Sequence, residues 1–409
     1  MIHKTMMNSP DEMIEADASI SSETILKLNK KNIELYKNLA LPKENEEDWR
    51  YTDVERLKLE NFEGQLTGNK FNGGNNIRIT KLPEIFKEKG AVFCSIREAF
   101  DEHHDLIQKY FFKSIRENKD KFTAMNSSYL SNGAFLFVPK NTNIDIAINA
   151  VFKHTNSNAI HNVIIVEENS SVDFVEEHYC AEEDEKNKEM LINEVTEIFV
   201  HDSALINFHY LNRLNKNTCN FTNLAGNASR DSRINWFSAC FGGKINRVRI
   251  DTSFNGKGSQ SENTGLFLGK GKEHIDVTTN VYHNAESTTN NIMFDGILTD
   301  SSTSVYRGLI RIEKTAQKTN SYLSNHILKI GSNTLANSIP ALKIEANDVK
   351  ASHGATIGHI NDDHLFYLMT RGLSINEAEQ MITRGFLEPI IEKIKIESLR
   401  NKIRGMIGE

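Results

Sequence analysis

Four histidines in the last third of the sequence have the chemistry of metal ligands. His353 lies among small residues in Ser352–Thr356, His359 and His364 follow it, and His326 precedes it on an apparent strand. A neutral imidazole whose second nitrogen is fixed by a hydrogen bond is a good ligand for iron or zinc. The side chains are expected to converge if this segment turns back on itself. The sequence leaves open the alternative that His353 only hydrogen-bonds a turn.

The elements expected to position these histidines are a strand, a compact corner and a helix. Leu342 and Ile344 alternate with polar residues, which indicates a strand. The small residues around His353 then predict a polar corner. Asn361 is suited to cap a helix, and Gly372 is suited to end it.

The overall composition excludes several classes of protein. The chain has 409 residues, a net charge of −7 and no apolar run long enough to span a membrane. A negative charge argues against a nucleic-acid partner. Residues 1–18 lack the pattern of a secretory signal. The four cysteines contain no C-x-x-C pair, which favours a reducing cytoplasm and excludes a local four-thiolate metal site. We therefore expect a cytoplasmic protein without a membrane or nucleic-acid partner.

From about residue 134 to residue 342, short alternating strands recur without intervening helices. The alternations are Ile144-x-Ile146-x-Ile148, Val172-x-Phe174, Ile206-x-Phe208, Ile234-x-Trp236 and Ile275-x-Val277. Small polar turn residues precede several of them. Recurrence at roughly 30-residue intervals predicts a β-solenoid or a many-stranded sandwich.

Helical patterns flank this region. Residues 20–39 and 99–129 show helical spacing of apolar residues, and Trp49 and Tyr51 are expected to form a small satellite core between them. Towards the C-terminus, Ser374 and Glu377 match a capping box. Pro389 predicts a bend or break near Glu388. The apolar stripe that continues to Ile403 is wider than a solenoid cap needs, so part of it is expected to be a partner surface.

No catalytic motif is convincing. The segment Gly265–Gly271 only approximates a phosphate-binding loop and is better interpreted as a strand and its turn, so ATP hydrolysis by this chain is not expected. No nucleophile elbow or zinc-protease motif occurs. A solenoid enzyme acting on polysaccharide remains an alternative, although it would need facing carboxylates in a groove.

Several segments in order resemble one family. They are Asp295–Leu298, Ala316–Asn320, Ala346–Gly358 and Leu365–Gly372, together with Trp49–Thr52. The sequence is similar to the SufB/SufD family of iron–sulfur cluster assembly proteins, and it is closer to the SufD members. SufB proteins carry a functional cysteine where Asn325 stands here. Some SufD proteins carry a cysteine at the position of Ala351, and no cysteine follows Cys240 in this chain.

The resemblance implies a mainly β protein: a right-handed parallel β-helix flanked by helical N- and C-terminal domains. The expected divisions are residues 1–130, a β-helix core at 131–358 and a C-terminal domain at 359–409. It also implies a non-catalytic scaffold that pairs with SufB and binds SufC, the ATPase that hydrolyses the nucleotide. An iron–sulfur cluster would be shared transiently with SufB, and the chain would bind no nucleotide of its own.

The family match also selects site residues. His353 is the candidate cluster ligand at the SufB interface. The residues expected to bind SufC are Leu365, Phe366, Tyr367, Arg371, Met381 and Phe386. Three alternatives remain: a SufB-like subunit that itself carries the nascent cluster, a solenoid carbohydrate-active enzyme, and an interaction protein without a metal role. A homodimer in isolation is compatible with all of these.

Overall fold

The computed structural model describes residues 13–16, 23–55, 57–72, 76–180, 188–331 and 333–408. Residues 1–12 and 17–22, which include most of the N-terminal segment considered above, lie outside the described residues. The chain is mainly β, with 46% of its residues in strands, and helices lie at both ends. No helix in the described ranges is long and apolar enough to cross a membrane.

The predicted β-solenoid is confirmed, and it makes about seven turns. Its strands and the short strands that precede it are β1 Met13–Glu15, β2 Asn76–Thr80, β3 Val92–Ser95, β4 Ala134–Val138, β5 Asn143–His154, β6 Asn158–Val166, β7 Ser171–Cys180, β8 Met190–Val200, β9 Leu205–Leu214, β10 Thr218–Ala228, β11 Arg233–Gly242, β12 Ile245–Phe254, β13 Gln260–Gly269, β14 His274–His283, β15 Thr289–Leu298, β16 Thr303–Ile312, β17 Asn320–Lys329, β18 Leu335–Ile344 and β19 Lys350–His359.

Two sheets face each other across the solenoid interior. Odd-numbered strands from β5 to β19 form one sheet, even-numbered strands from β4 to β18 form the other, and neighbours from β4 onwards pair in parallel. Each coil therefore adds one strand to each sheet. The inner face is apolar and stacked: the rings of Phe174 and Phe208 lie 5.6 Å apart, and Phe208 meets Trp236 edge-on at 5.3 Å.

The corners of the coils repeat as regularly as the strands. In each coil from β4–β5 to β16–β17, one residue at the same corner adopts a positive φ: Asn141, Asn169, Ser203, Asp231, Gly258, Ser287 and Lys318. Small polar residues and glycine tolerate this backbone conformation better than branched residues. Side-chain amides also stack between coils, because Asn255 donates to Asn227 at 3.1 Å and Asn284 donates to Asn255 at 2.8 Å.

The segment that approximates a phosphate-binding loop is strand β13 and its turn, as predicted. Gly265 lies in the middle of β13, where a Cβ atom would approach the ring of Phe294 to 2.1 Å. Gly296, one coil further along, makes the same space for Phe267. The two glycines therefore serve the packing of large aromatic rings in the solenoid interior.

Helices and a short 3-10 turn cover the N-terminal side of the solenoid. They are α1 Glu23–Asn38, the 3-10 turn Glu47–Trp49, α2 Glu60–Asn72, α3 Glu84–Lys87, α4 Ile96–Glu102, α5 His104–Ile107 and α6 Lys121–Tyr129. Trp49 is buried and stacks on Phe122 at 5.2 Å, with the Arg247 guanidinium 4.0 Å from its ring. The satellite core is thus confirmed for Trp49. Tyr51 does not join it, because its side chain points to solvent.

A buried ion network fastens this N-terminal segment to the solenoid. Asp276 accepts hydrogen bonds from Arg247, from Arg307 at 2.7 Å and from the Thr52 hydroxyl at 2.5 Å. Burial alone would raise the pKa of Asp276, but the two guanidinium groups lower it below its ordinary value. The two arginines also donate to backbone carbonyls of the segment, Arg247 to Asp48 and Arg307 to Arg50.

Three helices end the chain: α7 Asp362–Thr370, α8 Ile375–Ile391 and α9 Glu397–Gly408. Two predicted caps are confirmed, since the Asn361 side chain accepts from the first turn of α7 and Ser374 forms a capping box with Glu377. Of the bend or break that was predicted near Glu388, the break does not occur. Helix α8 continues through Pro389, and the chain breaks only after Ile391.

Candidate functional site

His353 lies in the last strand of the solenoid and not in a corner, so the predicted corner at Ser352–Thr356 is wrong. In β19 it pairs with Leu323 of β17, whose side chain is fully buried in the core. Because paired residues of neighbouring parallel strands face the same side, His353 faces the inner side of the last coil. It is nevertheless exposed, since no further coil of the described chain covers it.

Strands β18 and β19 form an open end of the solenoid. Ile310 and Ile312 are fully buried in β16, whereas their partners one coil later, Leu342 and Ile344, are 37% and 40% exposed. Ile357 is likewise 43% exposed. Strand β18 ends one sheet and β19 ends the other, so each has one unpaired edge. Long, exposed edge strands with apolar side chains are characteristic of surfaces that pair with another chain.

Asn325 lies just beneath this open end. It is buried on the inner side of β17, donates to the Phe294 carbonyl at 2.7 Å and accepts from the Ser338 hydroxyl at 2.7 Å. Its partner in β19 is Ala355, two residues from His353. Asn325 and His353 therefore belong to the same inner surface of adjacent coils.

The histidines expected to converge are separated by the fold. His326 pairs with Thr356, an odd number of residues from His353, and so faces the outer side. There its Nδ1 lies 2.8 Å from Asp295; burial raises the pKa of that carboxyl, and the hydrogen bond to His326 offsets part of the rise. His359 ends the same strand about 20 Å from His353. His364 lies in the first turn of α7.

The residues expected to bind SufC divide into two groups. Phe366, Tyr367 and Met381 are exposed, with Phe366 the most exposed at 69%, and Arg371 lies 5.2 Å from the Tyr367 ring. Leu365 is buried, and Phe386 is partly buried against the solenoid.

Only part of the C-terminal stripe through Ile403 was expected to be a partner surface, and its later part is buried against the solenoid. Side chains of α8, α9 and the residues between them pack on the outer face of the odd-numbered sheet: Leu387, Ile390, Ile391, Ile394, Ile396, Leu399, Ile403, Met406 and Ile407. These residues cover Phe237, Leu266 and Ile297 of the solenoid. The width of the stripe therefore reflects a broad sheet face that two helices must shield from water.

The thiols do not contribute to the open end. Cys94, Cys180, Cys219 and Cys240 are buried in β3, β7, β10 and β11. Burial raises the pKa of Cys219 and of Cys240 to about 12, so both remain protonated thiols near neutral pH. Any thiolate at His353 would have to come from another molecule.

A second group of polar side chains, which the sequence reasoning missed, lies inside the solenoid. Glu176, His178 and Glu194 are completely or almost completely buried, and their donor atoms lie within 4.8 Å of one another. In the part of the chain that the structure describes, this is the one converging group of three or more His, Cys, Asp or Glu ligands. The strand alternation predicts that Val172 and Phe174 face inward. The same alternation places Glu176 and His178 inward, and this was the signal in the sequence that could have indicated the group.

The protonation of this group follows from its isolation. Burial raises the pKa of Glu176 well above its ordinary value, and the charge of Glu194 raises it further. Burial opposes charge on Glu194 and His178 as well, but their mutual attraction lowers the pKa of Glu194 to about 2 and raises that of His178 to about 10. Without another cation, the group is an ion pair beside a neutral carboxyl. These carboxylates are sealed inside the solenoid and do not line a polysaccharide groove.

Comparison with known proteins gives consistent matches. The family described as "SUF system FeS cluster assembly, SufBD core domain" matches residues 148–386, and the one described as "SufBD protein N-terminal region" matches residues 75–150. The chain is 30% identical over 331 residues to the iron–sulfur cluster assembly protein SufD of Bacillus subtilis, spanning 80% of this chain and 75% of that protein. SufBD family proteins of Synechocystis sp. and Staphylococcus saprophyticus are 28% and 27% identical, spanning 80% and 77% of this chain and 72% and 68% of theirs.

Proposed function

The chain belongs to the SufBD family of iron–sulfur cluster assembly proteins, and from this premise we propose that it is a SufD-like scaffold subunit that pairs with SufB and binds the ATPase SufC. The similarity to a SufD protein over most of both chains supports the choice of SufD. The lack of any cysteine after Cys240 supports it over the SufB-like alternative.

The observation that carries the pairing with SufB is the open end formed by β18 and β19. Both sheets end there with an unpaired edge, and inner residues that are buried in every earlier coil remain exposed. A second solenoid of the same family offers matching strand edges and an equivalent apolar inner surface, so pairing would bury both. A second copy of this chain is the expected substitute when SufB is absent.

His353 is the proposed contribution of this chain to cluster assembly. It lies on the open end, and its imidazole is a nitrogen donor suited to iron. The iron–sulfur cluster is cargo of the complex, shared with SufB, from which any thiolate at the interface would come. The chain acts without catalysis of its own, and ATP hydrolysis is assigned to SufC.

The exposed side of α7 and the start of α8 is the proposed SufC surface. The exposed side chains of this surface are the aromatic rings of Phe366 and Tyr367 and the flexible apolar chain of Met381. The Arg371 guanidinium lies beside the Tyr367 ring. Such a combination is typical of interface centres. We accordingly divide the chain into residues 1–130, a core at 131–358 and a docking domain at 359–409.

The first test replaces His353 by Ala in a co-expressed, anaerobically purified complex. Iron and sulfide bound per complex are expected to fall several-fold, while SufB and SufC still co-purify. His359→Ala is the matched control, because it removes an exposed histidine from the same strand. Unchanged cluster yield in His353→Ala would exclude the proposed role.

A second test separates the two proposed interfaces. Leu342→Asp together with Ile344→Asp places charge on the open end and is expected to abolish co-purification of SufB while retaining SufC. Phe366→Asp together with Tyr367→Ala is expected to give the reverse pattern. Each double variant controls for the folding of the other. Loss of the same partner in both would contradict the assignment of the surfaces.

A further inference from the structure

The interior group Glu176, His178 and Glu194 is distant from the open end. Glu176 and His178 lie on β7 in one sheet, and Glu194 lies on β8 in the facing sheet, so the group joins the two walls of an early coil. The open end is formed by the last coil. This group therefore takes no part in the proposed interface.

The spacing of the donor atoms fits a coordination sphere. His178 Nε2 lies 2.9 Å from Glu176 Oε1 and 3.3 Å from Glu194 Oε1. When metal–ligand bonds measure about 2.0–2.2 Å, neighbouring ligand atoms are roughly 2.8–3.6 Å apart at angles between octahedral and tetrahedral. Both of these separations fall inside that interval, and the donor atoms of the two glutamates lie within 4.8 Å of each other, so an ion could be bound after a small movement of the side chains.

The surrounding residues hold each ligand in place. His178 Nδ1 is 3.1 Å from His154 Nε2, which leaves Nε2 of His178 directed at the glutamates. The Thr196 hydroxyl reaches both carboxylates, at 3.4 Å to Glu176 and 3.2 Å to Glu194. Metal-binding histidines and carboxylates are usually fixed by such outer hydrogen bonds.

An unpartnered buried atom supplies an independent indication. His154 is fully buried, and its Nδ1 has no hydrogen-bond partner. An unpaired polar nitrogen costs free energy in a dry interior, yet here it belongs to the ring that orients His178. This cost is offset if the hydrogen bond between His154 and His178 holds a metal ligand in place.

We propose that Glu176, His178 and Glu194 bind one divalent transition-metal ion inside the solenoid. Two carboxylates balance the charge of a divalent ion, and a ligand set of one imidazole and two carboxylates suits Fe²⁺, Zn²⁺ or Mn²⁺. The site is sealed from solvent, so the ion is structural. It enters while the coil forms, and it links β7 to β8. It is separate from any cluster handled at His353.

The test measures metal in the full-length chain. Cells are grown with Fe²⁺, Zn²⁺ and Mn²⁺, the protein is purified anaerobically without chelator, and its metal content is determined by mass spectrometry. We expect about one ion per chain in the wild type and at least a tenfold loss in Glu176→Gln and in Glu194→Gln. Two control variants are expected to retain the ion. They are Asp295→Asn, which removes the carboxylate of a two-member His–Asp pair, and His353→Ala.

A second measurement keeps the proposal falsifiable if the glutamine variants do not fold. X-ray absorption at the metal edge of the wild type is expected to give nitrogen and oxygen ligands and no sulfur. A wild-type chain that holds no metal after such purification, and also after refolding with anaerobic Fe²⁺ or Zn²⁺, would show that the group is only an ion pair beside a neutral carboxyl. Metal retained in both glutamine variants, or bound through sulfur, would also overturn the proposal.

Discussion

Replacing His283 by Asn is expected to remove a defined part of the acid sensitivity of this fold. His283 is buried at the end of β14, its Nδ1 lies 2.7 Å from the Thr288 hydroxyl, and its Nε2 has no partner. Burial lowers the pKa of His283 to about 3, compared with an ordinary value of 6.5. Asparagine keeps a polar atom near Nδ1 but cannot be protonated.

The magnitude follows from linkage. Because the folded-state pKa is lowered, the unfolded chain binds more protons between about pH 6.5 and pH 3, and stability falls as the pH decreases through that window. For a pKa of 6.5 unfolded and about 3 folded, His283 costs the native state about 2 kcal/mol at pH 5 and almost nothing at pH 7.5. The value at pH 5 changes little if the folded pKa differs by about one unit, since the native histidine remains neutral there.

The assay is urea denaturation at pH 7.5 and pH 5.0, followed by tryptophan fluorescence and far-ultraviolet circular dichroism. His283→Asn loses stability at both pH values because it gives up the stacking of its ring on Phe254. The difference between the two pH values is the test, and it should be smaller than that of the wild type by about 2 kcal/mol. His359→Asn, which alters an exposed histidine, should keep the wild-type difference. An unchanged difference in His283→Asn would refute the reasoning.

Three further substitutions test the packing, each measured as a free energy of unfolding in urea. Asp276→Ala leaves the Arg247 and Arg307 guanidinium groups buried without their carboxylate and should cost about 3–5 kcal/mol; a loss below about 1 kcal/mol would show that the ion network is not coupled to folding. Gly296→Ala places a Cβ against the Phe267 ring and should cost about 1–3 kcal/mol. Gly64→Ala, in α2 with no neighbouring atom within 4 Å of the new Cβ, should instead stabilise by about 0.5–1 kcal/mol. Equal effects at the two glycines would contradict the steric explanation.

The sequence predicted the solenoid because its inner positions alternate at the strand period. Val172, Phe174, Ile206 and Phe208 all face the core as expected. The caps at Asn361 and Ser374 were equally predictable, since a short polar side chain before an apolar helical stretch satisfies free backbone N–H groups. These features depend only on residues that are close together in the sequence.

The predictions failed where the role of a residue depends on parts of the chain that are distant from it in the sequence. The small polar residues around His353 suggested a turn, but they lie on the last strand of the described residues. No later coil covers that strand in this part of the chain, so the apolar pattern of a buried strand is not required there. Part of the α8–α9 stripe suggested a partner surface because the stripe is wider than a solenoid end needs. It covers the side of the sheet instead, and that orientation cannot be obtained from helical spacing.

The interior group was missed for a related reason. Glu176 and His178 continue the inward alternation of Val172 and Phe174, but strand alternation alone does not predict that ionisable residues occupy inward positions. Only the facing strand supplies Glu194, and no spacing in the sequence relates β7 to β8 across the interior. A buried polar group of this kind can be recognised only when the positions of both facing sheets are known.

Because the corners repeat, the number of coils sets the length of the solenoid. Seven successive coils have a residue of positive φ at the same corner, and the parallel strands of neighbouring coils pair in register, so the backbone would accept one more or one fewer coil. Each coil added or removed would change the distance between the first coil, formed by β4 and β5, and the open end by about 4.8 Å. Evolution could thus adjust the span of an assembly in fixed steps, while the surfaces at the two ends keep their chemistry.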